Sequence, residues 1–182
     1  IARYGLGLVF VNVLALSLGL PVPALPTLIL VGATYALLDG AAMWSALLGA
    51  LSVSIAASLL GDLLWFGAGR RYGNRTLQSL CRLSLSRDSC VRKTERFFGR
   101  YGVRVLAVAR FIPGLSLVSV PMAGAMRVRP AAFLRYDALG AALWAGVGLL
   151  LGLCFADQVQ DLLDWLSLLG RRAALLLAGL LV

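Results

Sequence analysis

Two apolar stretches of the chain are interrupted by proline at matching places, and few folds can hold such a pattern. The first reads Gly19-Leu20-Pro21-Val22-Pro23-Ala24-Leu25-Pro26 and runs on to Gly32-Ala33. The second reads Arg110-Phe111-Ile112-Pro113-Gly114 and runs on to Pro121-Met122-Ala123-Gly124-Ala125. The step from Pro21 to Gly32-Ala33 equals that from Pro113 to Gly124-Ala125, which points to an internal duplication. Proline inside a helix lacks the N–H and leaves a carbonyl without its partner. In a bilayer such a break is tolerated only where it is buried in protein or lines a wet cavity. Paired broken segments in corresponding halves of an apolar chain are a pointer to a transport site.

A membrane setting follows from composition. The 182 residues are 60% hydrophobic and 14% charged, with a mean hydropathy of +0.90, against roughly 25% charge in soluble domains. Uncharged runs cover Gly5 to Leu38, Gly40 to Gly61 and Ala138 to Ala156, each long enough for about one crossing. The first is too long for a signal peptide, whose apolar core is about 7–15 residues. The chain begins at Ile1 and ends inside the apolar run Ala173 to Val182, so a trimmed segment with a helix continuing past Val182 is expected.

Charge then orients the chain. Arg70 to Gly102 holds nine Lys/Arg against Asp88 and Glu95, a net +7 of the total +9. Short loops rich in Lys/Arg lie on the cytoplasmic side, and anionic lipid headgroups are a compatible contact. Nucleic acid is excluded as a partner, because the segment is short, tethered between membrane helices and carries no recognition motif. Asp157, Asp161 and Asp164 cluster after the next apolar run, as fits the opposite face. Cys81 and Cys90 fall in the basic loop and Cys154 in an apolar helix, which makes no disulfide framework. With no histidine, Ser-His-Asp and Cys-His chemistry and ordinary zinc sites are excluded. Neither an enzyme nor a cofactor or metal is expected.

The expected fold is an all-α integral membrane protein of one domain. As one helix, Gly5 to Leu38 would be about 51 Å long, whereas the bilayer core is about 30 Å. The prolines therefore predict a re-entrant hairpin over about 5–38. A membrane helix over 41–69, the basic loop 70–102 with an amphipathic helix near Asp88 to Gly99, a second hairpin over 103–126 broken at Pro113-Gly114 and Pro121, and a membrane helix over 131–155 follow. Pro130 fits the first turn of that helix, and a last helix covers 159–182, with Trp165 at the interface. With a cytoplasmic loop between them, the two hairpin-plus-helix units are inverted relative to one another.

Arg110 is the leading functional candidate, because it stands at the lip of the second break in an apolar setting. A buried charge there costs at least about 2.5 kcal/mol, and a guanidinium fork suits phosphate or another oxyanion. A purely structural ion pair with Asp62 or Asp137 is the competing reading. Asp62 is a candidate for carrying a proton, or for pairing with Arg70 or Arg71. Asp39-Gly40 reads as a turn. Gly67, Gly69, Gly73, Gly99 and Gly102 read as helix-packing positions rather than phosphate loops.

These residues together resemble the DedA family, also described as SNARE-associated or VTT-domain membrane proteins, over about residues 5 to 160. The likeness rests on Pro21-Val22-Pro23, Gly61-Asp62 followed by Gly69-Arg70 and Gly73, and Phe97-Phe98-Gly99-Arg100-Tyr101-Gly102. It rests above all on Arg110-Phe111-Ile112-Pro113-Gly114 with Ala123-Gly124-Ala125-Met126, Gly140 and Trp144. The resemblance implies a bacterial inner-membrane protein with two facing re-entrant hairpins, linked to envelope maintenance, the proton-motive force and translocation of undecaprenyl phosphate. The chain departs from the commoner pattern: Leu25 stands where an acid is frequent, Ser116 where a second arginine is frequent, and Gly5 to Leu38 has no acid. Pro113-Gly114-Leu115-Ser116 matches a subgroup some of whose members carry a rhodanese domain after the last helix.

The substrate expected from this reading is an anionic lipid phosphate, with a small inorganic oxyanion and a non-transporting scaffold as alternatives. The expected substrate-binding residues are Arg110, Pro113, Gly114, Ser116, Pro21 and Pro23, with Asp62 and Asp137 as proton or ion-pair partners. Membrane lipids are expected partners, and there is room for a homo-oligomer and for a further domain beyond Val182.

Overall fold

A computed structural model describes residues 2–73, 99, 102–112, 115–159 and 161. The predicted amphipathic helix near Asp88, Pro113-Gly114 and nearly all of 159–182 lie outside them. The described residues are helices and turns with no strand among them. The α-helices bounded within the described residues are α1 (Ala2–Ser17), α2 (Ala24–Tyr35), α3 (Gly40–Tyr72), α4 (Val105–Ala109), α5 (Leu115–Ala125) and α6 (Pro130–Cys154). Gly102–Arg104 forms a 3-10 turn leading into α4. α3 and α6 are long and apolar enough to cross a membrane; α1, α2 and α5 are apolar but shorter. Their outer faces display large apolar side chains such as Leu60, Leu64, Leu143 and Leu150, a surface suited to lipid.

Local chemistry explains the breaks. α1 stops in a left-handed turn at Gly19, φ +93°, where Gly19 N–H donates to Leu16 O at 2.9 Å and Leu20 N–H to Ala15 O at 3.0 Å. This paired closure satisfies two of the carbonyls that a helix end leaves open. Pro23 caps α2 and Pro26 falls in its first turn, where a missing N–H costs nothing. Pro130 likewise opens α6. Pro121 behaves differently from expectation: α5 runs through it unbroken. One helical hydrogen bond is lost there, but close packing of the Pro121 backbone on α3 holds the helix in place. α3 also continues past the expected end at Gly69 to Tyr72, so Arg70 and Arg71 form its last turn, where cations suit the carbonyl end.

The helices exchange partners. α1 packs on α3 and α4 on α6, whereas α2 packs on α6 and α5 on α3; α3 and α6 cross each other. Glycines set the two exchanged contacts. A Cβ on Gly69 would meet the Pro121 carbonyl, and one on Gly124 the Phe66 carbonyl. On the other side, a Cβ on Gly152 would meet the Ile29 carbonyl, and one on Gly32 the Leu149 carbonyl. The contacts correspond one to one, because Pro121 precedes Gly124 as Ile29 precedes Gly32, and Phe66 precedes Gly69 as Leu149 precedes Gly152. Small residues that let backbones touch are the usual device for helix association in lipid. Two apolar cores result, one around Phe66, Leu106 and Phe133 and the other around Val9, Leu28 and Trp144. Phe66 and Phe133 stack with ring centroids 4.2 Å apart.

Candidate functional site

Arg110 ends α4, at the lip of the second break. Its Nη2 donates to Oδ2 of Asp62, on α3, and lies 3.6 Å from Oδ1 of Asp137, on α6. All three side chains are buried, with relative exposures of 9%, 9% and 2%. One cation at the end of α4 therefore bridges both long helices. Taking such charges out of water is costly, and only mutual pairing offsets it. The pairing is incomplete: Arg110 Nε and Asp137 Oδ2 are buried without a hydrogen-bond partner among the described residues. Arg70 donates instead to the Val128 carbonyl at 3.4 Å, and the Arg71 guanidinium lies 5.8 Å from the Tyr72 ring centre. Asp62 is therefore held by Arg110, not by its neighbours on α3. Asp39 is exposed and caps α3 from an extended conformation, without a side-chain bond.

A cavity of about 550 Å³ opens beside this triad. Residues 16–26 between and at the ends of α1 and α2 (Leu18 excepted), Ser116, Leu117 and Val120 of α5, and Asp62, Trp65, Arg110 and Trp144 line it. The turn after α1 meets α5 directly, since a Cβ on Gly19 would sit 3.4 Å from Leu117 Cδ2. Of the residues singled out from sequence, Pro21, Pro23, Ser116, Arg110 and Asp62 share this cavity, and Asp137 braces it from behind Arg110. Pro113 and Gly114 fall outside the described residues. Ser17 and Trp65 also line the wall, and sequence reasoning did not single them out, while Trp144, also on the wall, was named only among the residues that carry the family likeness. Trp65 stands three residues after Asp62, a spacing that puts both on one helix face, and that signal was available. Ser17 carried none, because a serine near a helix end is commonplace. The arrangement offers an anion a buried guanidinium, hydroxyl groups and an apolar wall.

The VTT domain matches residues 22–153 of the chain. An uncharacterized membrane protein of Synechocystis, slr0232, is 30% identical over 148 residues, covering 80% of this chain and 64% of that protein. Protein DedA of Escherichia coli is 29% identical over 107 residues, 58% of this chain and 48% of DedA. The inner membrane protein YohD of the same organism is 30% identical over 118 residues, 63% of this chain and 59% of YohD. The chain thus spans less than two thirds of the length of each of these relatives. No solved structure matches it. With the domain match covering most of the chain and Pro23, Gly61, Gly69, Arg110 and Gly124 falling inside it, the chain belongs to the VTT-domain (DedA) family of membrane proteins.

Proposed function

We propose that the protein is a transporter of the bacterial inner membrane that moves an anionic, phosphate-bearing lipid of the undecaprenyl phosphate kind. The observation that carries this reading is the cavity walled by both proline-broken segments, with Arg110 on its side. At 1.5 Å per residue, α1, α2 and α5 are about 24, 18 and 17 Å long, short of a bilayer core of about 30 Å. That supports reading α1–α2 and α4–α5 as re-entrant hairpins. The one-to-one glycine contacts support an inverted arrangement of two units, with the basic loop 70–102 between them on the cytoplasmic side. A volume of this order suits a head group; ligand pockets run to about 300–1,000 Å³. The isoprenoid tail would lie outside, against the apolar helix faces.

Arg110 supplies the charge that recognises phosphate, while Asp62 and Asp137 fix its orientation and hold it ready in the unloaded site. Pro21, Pro23 and Ser116 shape the wall, and Pro113-Gly114 belongs to the same break. A small oxyanion could use the same groups, and the enclosure of the guanidinium favours that as the second reading.

Reconstitution in liposomes separates them. Accelerated exchange of undecaprenyl phosphate between leaflets, relative to protein-free vesicles, is the expected result. Uptake of inorganic phosphate with no lipid exchange would replace the lipid reading by the oxyanion one. Movement of neither by folded protein would contradict transport and leave a membrane scaffold.

A further inference from the structure

Three buried polar groups on the wall of one cavity have nothing to bond with. They are the Ser17 hydroxyl, the Trp65 indole Nε1 and Arg110 Nε, each without a partner among the described residues. Native interiors leave few such groups, and each asks for an explanation. All three can donate a hydrogen, and the indole and guanidinium nitrogens can do nothing else. They are also close neighbours in the fold. The Ser17 Cβ is packed on Gly61, 2.6 Å from where a Cβ would stand. Asp62, next in the chain, holds Arg110, and Trp65 follows Gly61 and Asp62 by one helical turn, on the same face of α3. Asp62 and Asp137 both engage Nη2 of the guanidinium, which leaves Nε uncommitted.

We infer that Ser17, Trp65 and Arg110 form a three-donor cradle for the free oxygens of a phosphate monoester. This rests on the anion-transport reading above and adds to it a specificity. Three donors from α1, α3 and the second hairpin match a terminal phosphate with three unesterified oxygens. A phosphodiester, as in an ordinary phospholipid, carries a second ester substituent where the third free oxygen would stand, which sets that substituent against a buried donor in a closed site. Ser17 and Trp65 are specificity-determining residues in this account, and Arg110 provides the charge. The same chemistry would hold a monoester lipid or free phosphate, so both are tested.

The test uses the whole chain with its tryptophan indoles labelled with nitrogen-15, in detergent micelles. It is titrated separately with a polyprenyl monophosphate, with inorganic phosphate, and with phosphatidylglycerol as the diester. The indole N–H resonance that is absent from Trp65→Phe should shift saturably with a monophosphate and stay in place with the diester. Saturation by the lipid alone identifies a lipid head group as the ligand; saturation by inorganic phosphate as well identifies a site for the phosphate itself. Trp65→Phe, which keeps the ring, and Ser17→Ala should each weaken monophosphate binding by about 10-fold, on the scale of one hydrogen bond to a charged group. They should also narrow the preference over the diester, while thermal stability holds. Monophosphate binding that leaves the Trp65 resonance and both variants' affinities unchanged would overturn the cradle and spare the transport reading. If no monophosphate binds or crosses the membrane with wild-type protein, both fall together.

Discussion

Arg110 is held by two carboxylates from two different helices, and that geometry makes its substitutions readable. Arg110→Ala would leave Asp62 and Asp137 buried against each other without a cation. Breaking a buried ion pair from one side costs about 3–5 kcal/mol, so this variant is expected to lose stability sharply in a thermal-shift assay. Replacing Asp137 as well, in Arg110→Ala with Asp137→Asn, should recover part of the loss; no recovery would mean the two sites do not interact. Arg127 provides a second residue-scale test. It adopts φ +56° after α5, with its N–H on Gly124 O at 3.0 Å and Val128 N–H on Ala123 O at 3.1 Å. That is the glycine position of a helix-ending turn, and a side chain there costs about 1–2 kcal/mol. Arg127→Gly is expected to raise stability by about 1 kcal/mol, and a lowered melting temperature would count against the turn. The depth of Arg110 in apolar sequence made it legible from the chain alone, with Asp62 and Asp137 as possible partners. Ser17 was not legible as a site residue: it is neutral and near a helix end, and only the seating of α1 on Gly61 brings it against α3, one turn before Trp65.

At the scale of elements, the glycine contacts carry the fold. Gly69 and Gly124 let α3 and α5 touch backbone to backbone, and Gly32 and Gly152 do the same for α2 and α6. The atoms they meet are main-chain atoms, which cannot turn aside as a flexible side chain can. Gly124→Leu and Gly152→Leu are therefore each expected to separate a helix pair and to yield aggregated protein on size-exclusion chromatography. Gly67→Leu, on the same helix as Gly69 but with open space beyond its Cα, should behave as wild type. Equal damage from all three would remove these contacts from their proposed role. The matching steps from Pro21 to Gly32 and Pro113 to Gly124 marked in sequence two of the glycines that make these contacts. The exchange of partners was not visible, because spacing along one helix does not say which other helix a glycine meets. Pro121 shows the same limit: as a residue it signals a break, yet the contact with Gly69 keeps α5 continuous.

For the whole molecule, topology and transport are the claims at stake. The segment 70–102 concentrates positive charge and contains Cys81 and Cys90. In intact cells an impermeant thiol reagent should leave both unlabelled until the membrane is permeabilised. Immediate labelling would reverse the orientation. The sequence made the membrane setting and the family plain through uncharged runs and motif spacing. It could not show that the first hairpin supplies most of one cavity wall, since that depends on how α1 and α2 fold back over α3 and α6. The most direct measurement is exchange of undecaprenyl phosphate between leaflets of proteoliposomes carrying wild type or Arg110→Lys. Lysine keeps the cation beside Asp62 and Asp137 but loses the planar fork, and size-exclusion and melting profiles establish that the variant is folded. Loss of a hydrogen bond to a charged group, worth roughly 1.5–3 kcal/mol, predicts affinity for the lipid lowered about 10- to 150-fold, with exchange slowed at limiting lipid. Folded Arg110→Lys that exchanges the lipid at the wild-type rate across the whole concentration range would contradict the account.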